Sequence, residues 1–539
     1  MLKKVIPFII AIPALLLIFI FKIVPAVYTL LLSFKDFKIM KGIFRSPWVG
    51  MNNYKALIQS PAFRNITNNT LTLNSLSIIL TVLFALALIV CISKMPNKWC
   101  KLCAIAILSI PAFIPVSSFV GVFMKAFSVD SGFINKLITS SGNDPILFFA
   151  DKTLYPLLFA MMDSLRNIFI PVIIGVLICE NSSKLSFKSI AIVLTGYTAV
   201  RVAMILSPDI ELLHMTYNPL VYETADVFDT YSFRTGLMSM HYGSSSTVWV
   251  IKTIIQLLIN IALYFLLAVL VPKISEAVKD ISNKVNKSMD SIIAIIGYLL
   301  LATGSLAVII LTFIPLSSNL SEGMRLLTAN RPFITAVSNS LLYSISGSIV
   351  YGFITLTLSY PLTVKTKIYP LILIIVISLI NNFTGEYLIF RSMGTINTII
   401  PVILGTGLSV AGAFALHFSI SGRFGDDIPG IGQYLKEAIL PLVTIVALSF
   451  IANWGGYIYQ LLFLSNTNLR GIGLLGMQFL TMQDNGNRAL YPATPEKFEN
   501  VKAAFFFISS IIPVTIGTAL ILMSKHMPLS AFVSQIKKS

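Results

Sequence analysis

Long apolar runs separated by short polar segments extend along the whole chain. A transmembrane helix needs about 20 apolar residues, because the hydrocarbon core of a bilayer is about 30 Å thick. Runs of this kind predict about twelve transmembrane helices. Those of the first half lie at 5–32, 71–92, 104–123, 154–178, 189–206 and 248–271. Those of the second half lie at 292–316, 333–360, 368–380, 396–416, 438–464 and 503–523.

Composition supports a membrane protein. Of the 539 residues, 56% are hydrophobic and 11% are charged, whereas soluble domains carry about 25% charged residues. The chain has 39 Lys and Arg against 22 Asp and Glu, a net charge of +17. Nucleic-acid binding would need a soluble basic module, and no polar stretch is long enough to form one. We therefore predict an all-α polytopic membrane protein and interpret the charge as a topology signal.

Basic residues cluster in alternate loops. Lys94, Lys98 and Lys101 follow the second apolar run, and Lys365 and Lys367 follow the corresponding run of the second half. Because cations resist translocation, these loops and both termini are predicted to lie in the cytoplasm.

One charged segment, 272–290, divides the apolar runs six and six. It predicts a cytoplasmic linker between a first transmembrane domain at 1–271 and a second at 291–539. Each half has a polar loop after its first run, a short basic turn after its second and a long external loop before its last. Two related halves around a central site are typical of transporters.

Local sequence in both halves resembles one family. The first half contains Leu32-Ser-Phe-Lys-Asp-Phe37, Ser46-Pro-Trp-Val-Gly50 and the segment 217–226, and the second contains Tyr360-Pro-Leu-Thr-Val-Lys365, the segment 394–401 and Leu440-Pro-Leu442. The chain resembles a fused pair of permease subunits from polysaccharide and multiple-sugar ABC importers, with two six-helix domains. The resemblance implies a bacterial plasma-membrane protein that imports an oligosaccharide or glycan-like solute by alternating access. It also implies cytoplasmic ABC ATPase subunits and an extracellular solute-binding protein as partners.

Permeases of this family contact their ATPases through a cytoplasmic coupling helix between the fourth and fifth spans. The corresponding turn of the first half, 180–188, keeps one acidic residue, Glu180, and lacks the family's alanines and Asp-Gly-Ala. The second half keeps the length at 423–437, and its candidate ATPase contacts are Asp426, Asp427, Gly430 and Glu437. Each interior Gly costs a helix about 1 kcal/mol relative to Ala. This degeneration leaves an alternative open, a permease-like membrane scaffold or accessory subunit that has lost ATPase coupling.

A sugar presents an apolar ring face and a rim of hydroxyl groups, so its sites combine aromatic rings with amide groups. The predicted fifth helix of the second half has this mixture, and the candidate substrate-path residues are Asn453, Trp454, Tyr457 and Gln460. Aromatic residues of membrane helices also serve as packing or interfacial anchors, which is the alternative interpretation.

Ionisable residues within or near the spans are predicted to have structural roles rather than to contact the solute. Asp163 and Arg166 are three residues apart and are predicted to neutralise each other on one helix face. Lys22 and Arg201 lie near span ends, where their side chains are predicted to reach the membrane–water interface. The external series Glu223, Asp226 and Asp229 is predicted to have a structural or docking role rather than to bind metal.

Nothing in the sequence indicates catalysis. The chain has no P-loop, so we expect any ATP hydrolysis to come from separate subunits. The segment 471–476 matches GxGxxG but follows no strand, and a flexible external loop is expected there. The four histidines are scattered, and no metal or cofactor site is predicted.

Overall fold

The computed structural model describes residues 2–95, 98–130, 132–181, 187–279, 319–424, 427–481 and 495–523. Within these ranges the regular secondary structure is helical, apart from an isolated β-bridge between Lys35 and Trp48. The α-helices up to residue 279 are α1 Leu2–Ile18, α2 Val24–Ser33, α3 Gly42–Arg45, α4 Asn52–Gln59, α5 Pro61–Ser93, α6 Lys98–Phe113, α7 Val116–Ala126, α8 Phe133–Ser140, α9 Tyr155–Asn167, α10 Phe169–Asn181, α11 Phe187–Val202, α12 Ile210–Thr216, α13 Tyr222–Ala225, α14 Phe228–Phe233 and α15 Tyr242–Lys279.

The α-helices described after residue 318 are α16 Leu320–Thr328, α17 Arg331–Ser359, α18 Ile368–Ser378, α19 Phe383–Ser392, α20 Ile400–Gly407, α21 Ala411–Ile420, α22 Ile431–Gly455, α23 Ile458–Phe463, α24 Ile472–Thr481 and α25 Pro495–Met523. A five-residue π-helix, Phe19–Ile23, joins α1 to α2. Together these three elements form the first span.

Six helices of the described residues are long and apolar enough to cross a membrane, and the number rises to ten if each of four bent helix pairs is one span. Of the two further predicted spans, 189–206 corresponds to the short apolar helix Ile190–Val202. The other, 292–316, lies outside the described residues. The predicted all-α polytopic membrane fold is confirmed.

The same bends recur in the two halves of the chain. The third span is broken in both, between α6 and α7 with an angle of 97° and between α18 and α19 with an angle of 88°. The fourth span is bent by 40° between α9 and α10 and by 42° between α20 and α21. Hydropathy predicted a single run at 104–123, but this helix is broken. The short run at 368–380 is only the first limb of a broken span.

Each break of a third span has a local cause. Pro115 separates α6 from α7, and it has no N–H to donate to the carbonyl four residues earlier, that of Pro111. In the second half Asn381 adopts a left-handed backbone conformation with φ 56°. Asn382 then caps α19, because its side-chain oxygen accepts the N–H of Gly385 at 3.2 Å.

Glycines break the predicted fifth helix of the second half, 438–464, into α22 and α23. The helix ends at Gly455, and α24 packs closely against this point. A Cβ atom at Gly473 would lie 2.3 Å from the carbonyl oxygen of Gly455. The GxGxxG segment therefore continues into a packed helix, and the expectation of a flexible loop was wrong.

Helix α15 continues to Lys279, so the predicted linker 272–290 begins as helix. Residues 280–290 lie outside the described residues. The division into domains at 1–271 and 291–539 stays a prediction.

Residues 2–279 and 319–523 pack against each other along what we call the inter-half interface. Ser118 of α7 and Ser509 of α25 share a hydrogen bond of 3.0 Å between their hydroxyl groups. Thr384 of α19 and Ser245 of α15 share an equivalent bond of 2.8 Å. In both cases the second limb of a broken third span contacts the sixth span of the opposite half.

Candidate functional site

The break in the third span of the second half brings polar residues to the inter-half interface. Asn382, four residues after the end of α18, accepts a hydrogen bond of 2.8 Å from the hydroxyl of Thr29 on α2. Gly385 permits this close approach, since a Cβ atom there would lie 2.1 Å from the same hydroxyl oxygen. The side chain of Glu386, one position later, also points towards the first span.

Lys22 and Glu386 form a buried ion pair across the interface. The distance from Lys22 Nζ to Glu386 Oε1 is 2.7 Å, and the two side chains are 11% and 2% exposed. Lys22 lies in the π-helix of the first span, and π-helical turns are frequent at functional sites. Its ammonium group is also 3.5 Å from the hydroxyl of Tyr459 on α23. We call Lys22, Glu386 and Tyr459 the charged cluster.

The second carboxylate oxygen of Glu386, Oε2, is buried and has no hydrogen-bond partner among the described residues. The amide nitrogen of Asn382, Nδ2, is also buried without a hydrogen-bond partner among the described residues. A buried polar atom without a partner costs about 1–3 kcal/mol, and more when it is charged. The charged cluster can therefore accept a hydrogen bond from an additional group such as a hydroxyl.

Aromatic rings surround the charged cluster. Phe21 of the π-helix stacks on Phe390 of α19 with ring centroids 5.4 Å apart. Phe390 contacts Phe463 of α23 at 5.1 Å, and Phe463 stacks on Tyr459 at 6.2 Å. The ammonium group of Lys22 lies 5.8 Å from the centroid of the Tyr459 ring. Rings and charged groups thus meet in one place at the inter-half interface.

A second buried ion pair supports the same break. Asp229 pairs with Lys252 of α15, and both side chains are 1% exposed. The other carboxylate oxygen of Asp229 accepts a hydrogen bond of 2.8 Å from Asn381 Nδ2. This contact fixes the left-handed residue of the break to the opposite half.

The rest of the external acidic series also forms ion pairs. Asp226 pairs with Arg234, and Glu223 pairs with Lys152 at 2.7 Å on the surface. The salt bridge to Lys152 lowers the pKa of Glu223. Among the described residues no group of three or more His, Cys, Asp or Glu could hold a metal ion. The contacts agree with the structural role predicted for this series.

The predicted substrate-path residues lie at the break between α22 and α23, and their polar atoms bond to the protein. Trp454 Nε1 donates to the carbonyl of Ser509 at 2.8 Å. Gln460 Nε2 donates to the carbonyl of Gly456 at 2.8 Å, and its oxygen accepts the N–H of Gly471 at 2.7 Å. Asn453 Nδ2 lies 3.4 Å from the hydroxyl of Ser449.

Tyr457 connects this break to an external helix of the first half. Glu211 of α12 accepts the backbone N–H of Tyr457 at 2.8 Å and that of Ile458 at 3.2 Å through one carboxylate oxygen. The Tyr457 hydroxyl lies 3.0 Å from His214 Nδ1. Burial and the nearby charge of Asp209 raise the pKa of Glu211 to about 7, although the two N–H groups oppose this shift.

Three predictions about ionisable residues were wrong. Asp163 pairs with Arg201 of α11 at 2.5 Å, and not with Arg166. The side chain of Arg201 therefore does not extend to the membrane–water interface. Arg166 instead donates to the carbonyls of Pro111 and Ile114 at 2.9 and 3.1 Å. These carbonyls are left free by the break before α7, and satisfying them favours this geometry over the pair on one helix face. Lys22 likewise pairs with Glu386 instead of extending to the membrane surface.

The predicted coupling segment of the second half is held firmly to the fold. The Tyr360 hydroxyl donates to the carbonyl of Pro429 at 2.9 Å, and the rings of Tyr360 and Tyr434 lie 4.4 Å apart. Glu437 forms an ion pair with Arg423, and Asp427 is exposed.

The remaining candidate coupling residues have different surroundings. Gly430 immediately precedes α22 with extended backbone geometry, and Gly432 lies inside the helix despite its low helix propensity. Glu180 lies near the end of α10. Asp426 and the turn 182–186 lie outside the described residues.

The charged cluster could not be identified from sequence. Lys22 and Glu386 are 364 residues apart, and no local pattern relates them. A signal was present in each residue separately, because an ionisable residue within a membrane segment suggests a functional site. Glu386 was not recognised, since hydropathy ended the third span of the second half before reaching it.

Comparisons with known proteins identify homologues. No protein-family model matches the sequence. The chain is 25% identical over 271 residues to Protein LplB of Bacillus subtilis strain 168, covering 47% of this chain and 85% of that protein. It is 23% identical over 269 residues to the polygalacturonan/rhamnogalacturonan transport system permease protein YteP of the same organism, covering 46% and 83%. A crystal structure of a bacterial alginate ABC transporter, in complex with alginate pentasaccharide-bound periplasmic protein, is 20% identical with a TM-score of 0.39, covering 48% of this chain and 91% of that one. The chain is thus a polytopic membrane protein whose homologues are permease subunits of ABC-type carbohydrate transport systems.

Proposed function

We propose that the chain is the transmembrane permease of an ABC-type importer for oligosaccharides or other glycan-like solutes. The observation that carries the proposal is the charged cluster at the inter-half interface, with its unpartnered Glu386 oxygen. In this proposal the two halves rock against each other and expose the interface alternately to the two sides of the membrane. The homology to transport permeases supports this assignment.

The charged cluster suits a solute with many hydroxyl groups. One hydroxyl can donate to Glu386 Oε2 while a neighbouring hydroxyl accepts from Lys22. The ring of Tyr459 offers an apolar face to the sugar ring. A role in the substrate path for Asn453, Trp454, Tyr457 and Gln460 stays part of the proposal. Gln460 shares the short helix α23 with Tyr459.

The energy for transport would come from separate ABC ATPase subunits, since the sequence contains no P-loop. We place their contact at the second-half coupling segment, where Asp427 is exposed. The segment is anchored by hydrogen bonds of the Pro429 carbonyl and of the Tyr434 hydroxyl. Asp426, Gly430 and Glu437 belong to the same proposed surface, and Glu180 belongs to the first-half counterpart. An extracellular solute-binding protein would deliver the solute. Both termini would lie in the cytoplasm of a bacterial cell.

Reconstitution tests this function. The chain, its ATPase and its binding protein are placed in liposomes, and ATP hydrolysis and uptake of a labelled oligosaccharide are measured. We expect loaded binding protein to stimulate hydrolysis, and Glu386→Gln to reduce uptake. Glu223→Gln is the matched control, because Glu223 also pairs with a lysine but is 63% exposed. Failure of any ATPase to associate, or equal uptake by Glu386→Gln and wild type, would contradict the proposal.

The second candidate function is a membrane scaffold that has lost ATPase coupling. The pairing of Glu437 with Arg423 of the same chain favours it, because that carboxylate is already engaged. The double variant Asp427→Asn, Glu437→Gln distinguishes the two functions. If the chain is a scaffold, its function in the cell should be unchanged in this variant. If it is a permease, the variant should lose the ATP hydrolysis that loaded binding protein stimulates.

A further inference from the structure

A loop with basic and aromatic side chains, residues 38–48, follows the first span closely, and we call it the basic loop. The span ends at Ser33, and under the proposed orientation it brings the basic loop to the external side of the membrane. Residues 34–60, between the first and second spans, contain five lysines or arginines and one acidic residue. Cations resist translocation, so this charge balance is unusual for an external segment and indicates an anionic partner.

The basic loop is fixed to the end of the first span. Val49 donates its backbone N–H to the carbonyl of Phe34 at 2.8 Å. Lys35 Nζ donates to the carbonyl of Ile43 at 2.6 Å, and the rings of Phe34 and Trp48 stack with their centroids 5.4 Å apart. The basic loop is therefore held at the level where the span leaves the membrane.

The length of the first span sets that level. The span has 31 residues, and at about 1.5 Å per residue it is about 46 Å long. A bilayer with its headgroups is about 40–45 Å thick. A span that crosses the whole bilayer thus ends close to the headgroup surface, and the basic loop lies against that surface.

Three large apolar side chains of the basic loop are turned away from the protein. The exposed fractions are 94% for Met40, 92% for Phe44 and 62% for Trp48. Tryptophan is enriched at membrane–water interfaces, and apolar side chains that reach the boundary between headgroups and acyl chains stabilise attachment to the bilayer. The position of these three side chains allows that contact.

The basic side chains alternate with the apolar ones. Lys41 and Arg45 are exposed, and neither forms an ion pair within the part of the chain that the structure describes. An arginine side chain can donate two parallel hydrogen bonds to a phosphate group, and basic residues next to interfacial apolar residues are attracted to anionic lipids.

We propose that the basic loop binds anionic phospholipid in the outer leaflet. Met40, Phe44 and Trp48 enter the boundary between headgroups and acyl chains, and Lys41 and Arg45 bind the lipid phosphates. The acidic surface of a protein would match the charges, but the anchoring of the basic loop at the headgroup level favours lipid. The inference goes beyond the proposed function, because it concerns the lipid around the chain and not the transported solute.

Fluorescence quenching of Trp48 tests the inference. The full chain is placed in nanodiscs of phosphatidylcholine and phosphatidylglycerol in equal amounts, with bromine on the acyl chains of one lipid or of the other. The difference between wild type and Trp48→Phe isolates this residue from the other tryptophans, since the chain has four. We expect brominated phosphatidylglycerol to quench Trp48 about five times as strongly as brominated phosphatidylcholine, because one basic residue near an anionic lipid surface favours binding by about that factor.

Variants separate the charged contacts from the apolar ones. Lys41→Gln with Arg45→Gln should make the two lipids quench Trp48 equally, because the attraction to phosphatidylglycerol is lost. Phe44→Ser should weaken quenching by both lipids, because the basic loop loses an apolar contact with the bilayer. The matched control, Lys136→Gln with Lys152→Gln, removes two exposed lysines outside the basic loop and should keep the preference.

Equal quenching by the two lipids in wild type, or an unchanged preference in the variant of Lys41 and Arg45, would overturn the inference. Absence of Trp48 quenching by either lipid would also overturn it, because the basic loop would then lie outside the bilayer. If added solute-binding protein changed the Trp48 emission in that case, the basic loop would be a docking surface for a protein instead.

Discussion

The ammonium group of Lys22 lies 2.7 Å from the carboxylate of Glu386, and this ion pair joins the first span of the chain to the broken third span of the second half. A pair so deeply buried is sensitive to loss of one partner. Removing only one charge leaves the other buried and uncompensated, which costs about 3–5 kcal/mol.

We therefore expect Lys22→Met to destabilise the protein by about 3–5 kcal/mol. The double variant Lys22→Met, Glu386→Gln should recover much of this loss, because no isolated charge remains. Unfolding in nanodiscs measures both effects. The surface pair of Lys152 and Glu223 provides the matched cycle, and its coupling should be about 0–1 kcal/mol. Equal coupling in the two cycles would show that the Lys22–Glu386 pair is not buried.

A second prediction concerns the partners of Asp163. Asp163 contacts Arg201 at 2.5 Å, whereas Arg166 is bonded to backbone carbonyls of the third span. Double-mutant cycles with Asp163→Asn should give a large coupling to Arg201→Met and a clearly smaller one to Arg166→Met. Arg166→Met should still be destabilising by about 1–3 kcal/mol, because two carbonyls lose their donor. A larger coupling energy between Asp163 and Arg166 would instead support the ion pair that was predicted on one helix face.

The third prediction is a pH dependence at Glu211. Its pKa is about 7 in the folded protein, above the usual value of 4.5. Between these values the folded state binds a proton that the unfolded state does not, so stability should rise as the pH falls from about 8 towards about 5. Glu211→Gln keeps an oxygen to accept the N–H groups of Tyr457 and Ile458 but cannot titrate.

Thermal midpoints of wild type and Glu211→Gln, measured across this pH range, isolate the effect. The difference between them should change in favour of wild type as the pH falls. A constant difference would mean that Glu211 does not titrate with a raised pKa.

Two glycines give opposite expectations. Gly473→Ala should be destabilising, because its methyl group would lie 2.3 Å from the backbone oxygen of Gly455, which cannot move aside easily. Gly432→Ala should stabilise the start of α22 by up to about 1 kcal/mol, because nothing lies within 4 Å of the new methyl group and Ala is the better helix former. Thermal unfolding of the two variants tests both. Stabilisation by Gly473→Ala would contradict the close packing of α24 on the break.

Hydropathy was a good guide to where the chain crosses the membrane and a poor guide to where its helices break. The runs around Thr81 and Phe353 are long continuous helices, as predicted. The breaks at Pro115 and Asn381 were missed, because a broken span has the same apolar composition as a straight one. The partners of the charged residues were harder still to predict, since Arg166 and Lys22 bond to groups that only the folded chain brings close. The candidate substrate-path residues lie at the break between α22 and α23, and their role stays a prediction. Glu386 was not found.

The distance of 364 residues between Lys22 and Glu386 has a consequence for how the chain enters the membrane. Ribosomes add about 5–20 residues per second, so Lys22 is synthesised about 20–70 s before its partner. During that time the first span must be inserted with an unpaired ammonium group, which costs about 2.5–3.5 kcal/mol on insertion scales. The 31-residue span Lys3–Ser33 is apolar enough to hold this charge until the second half arrives.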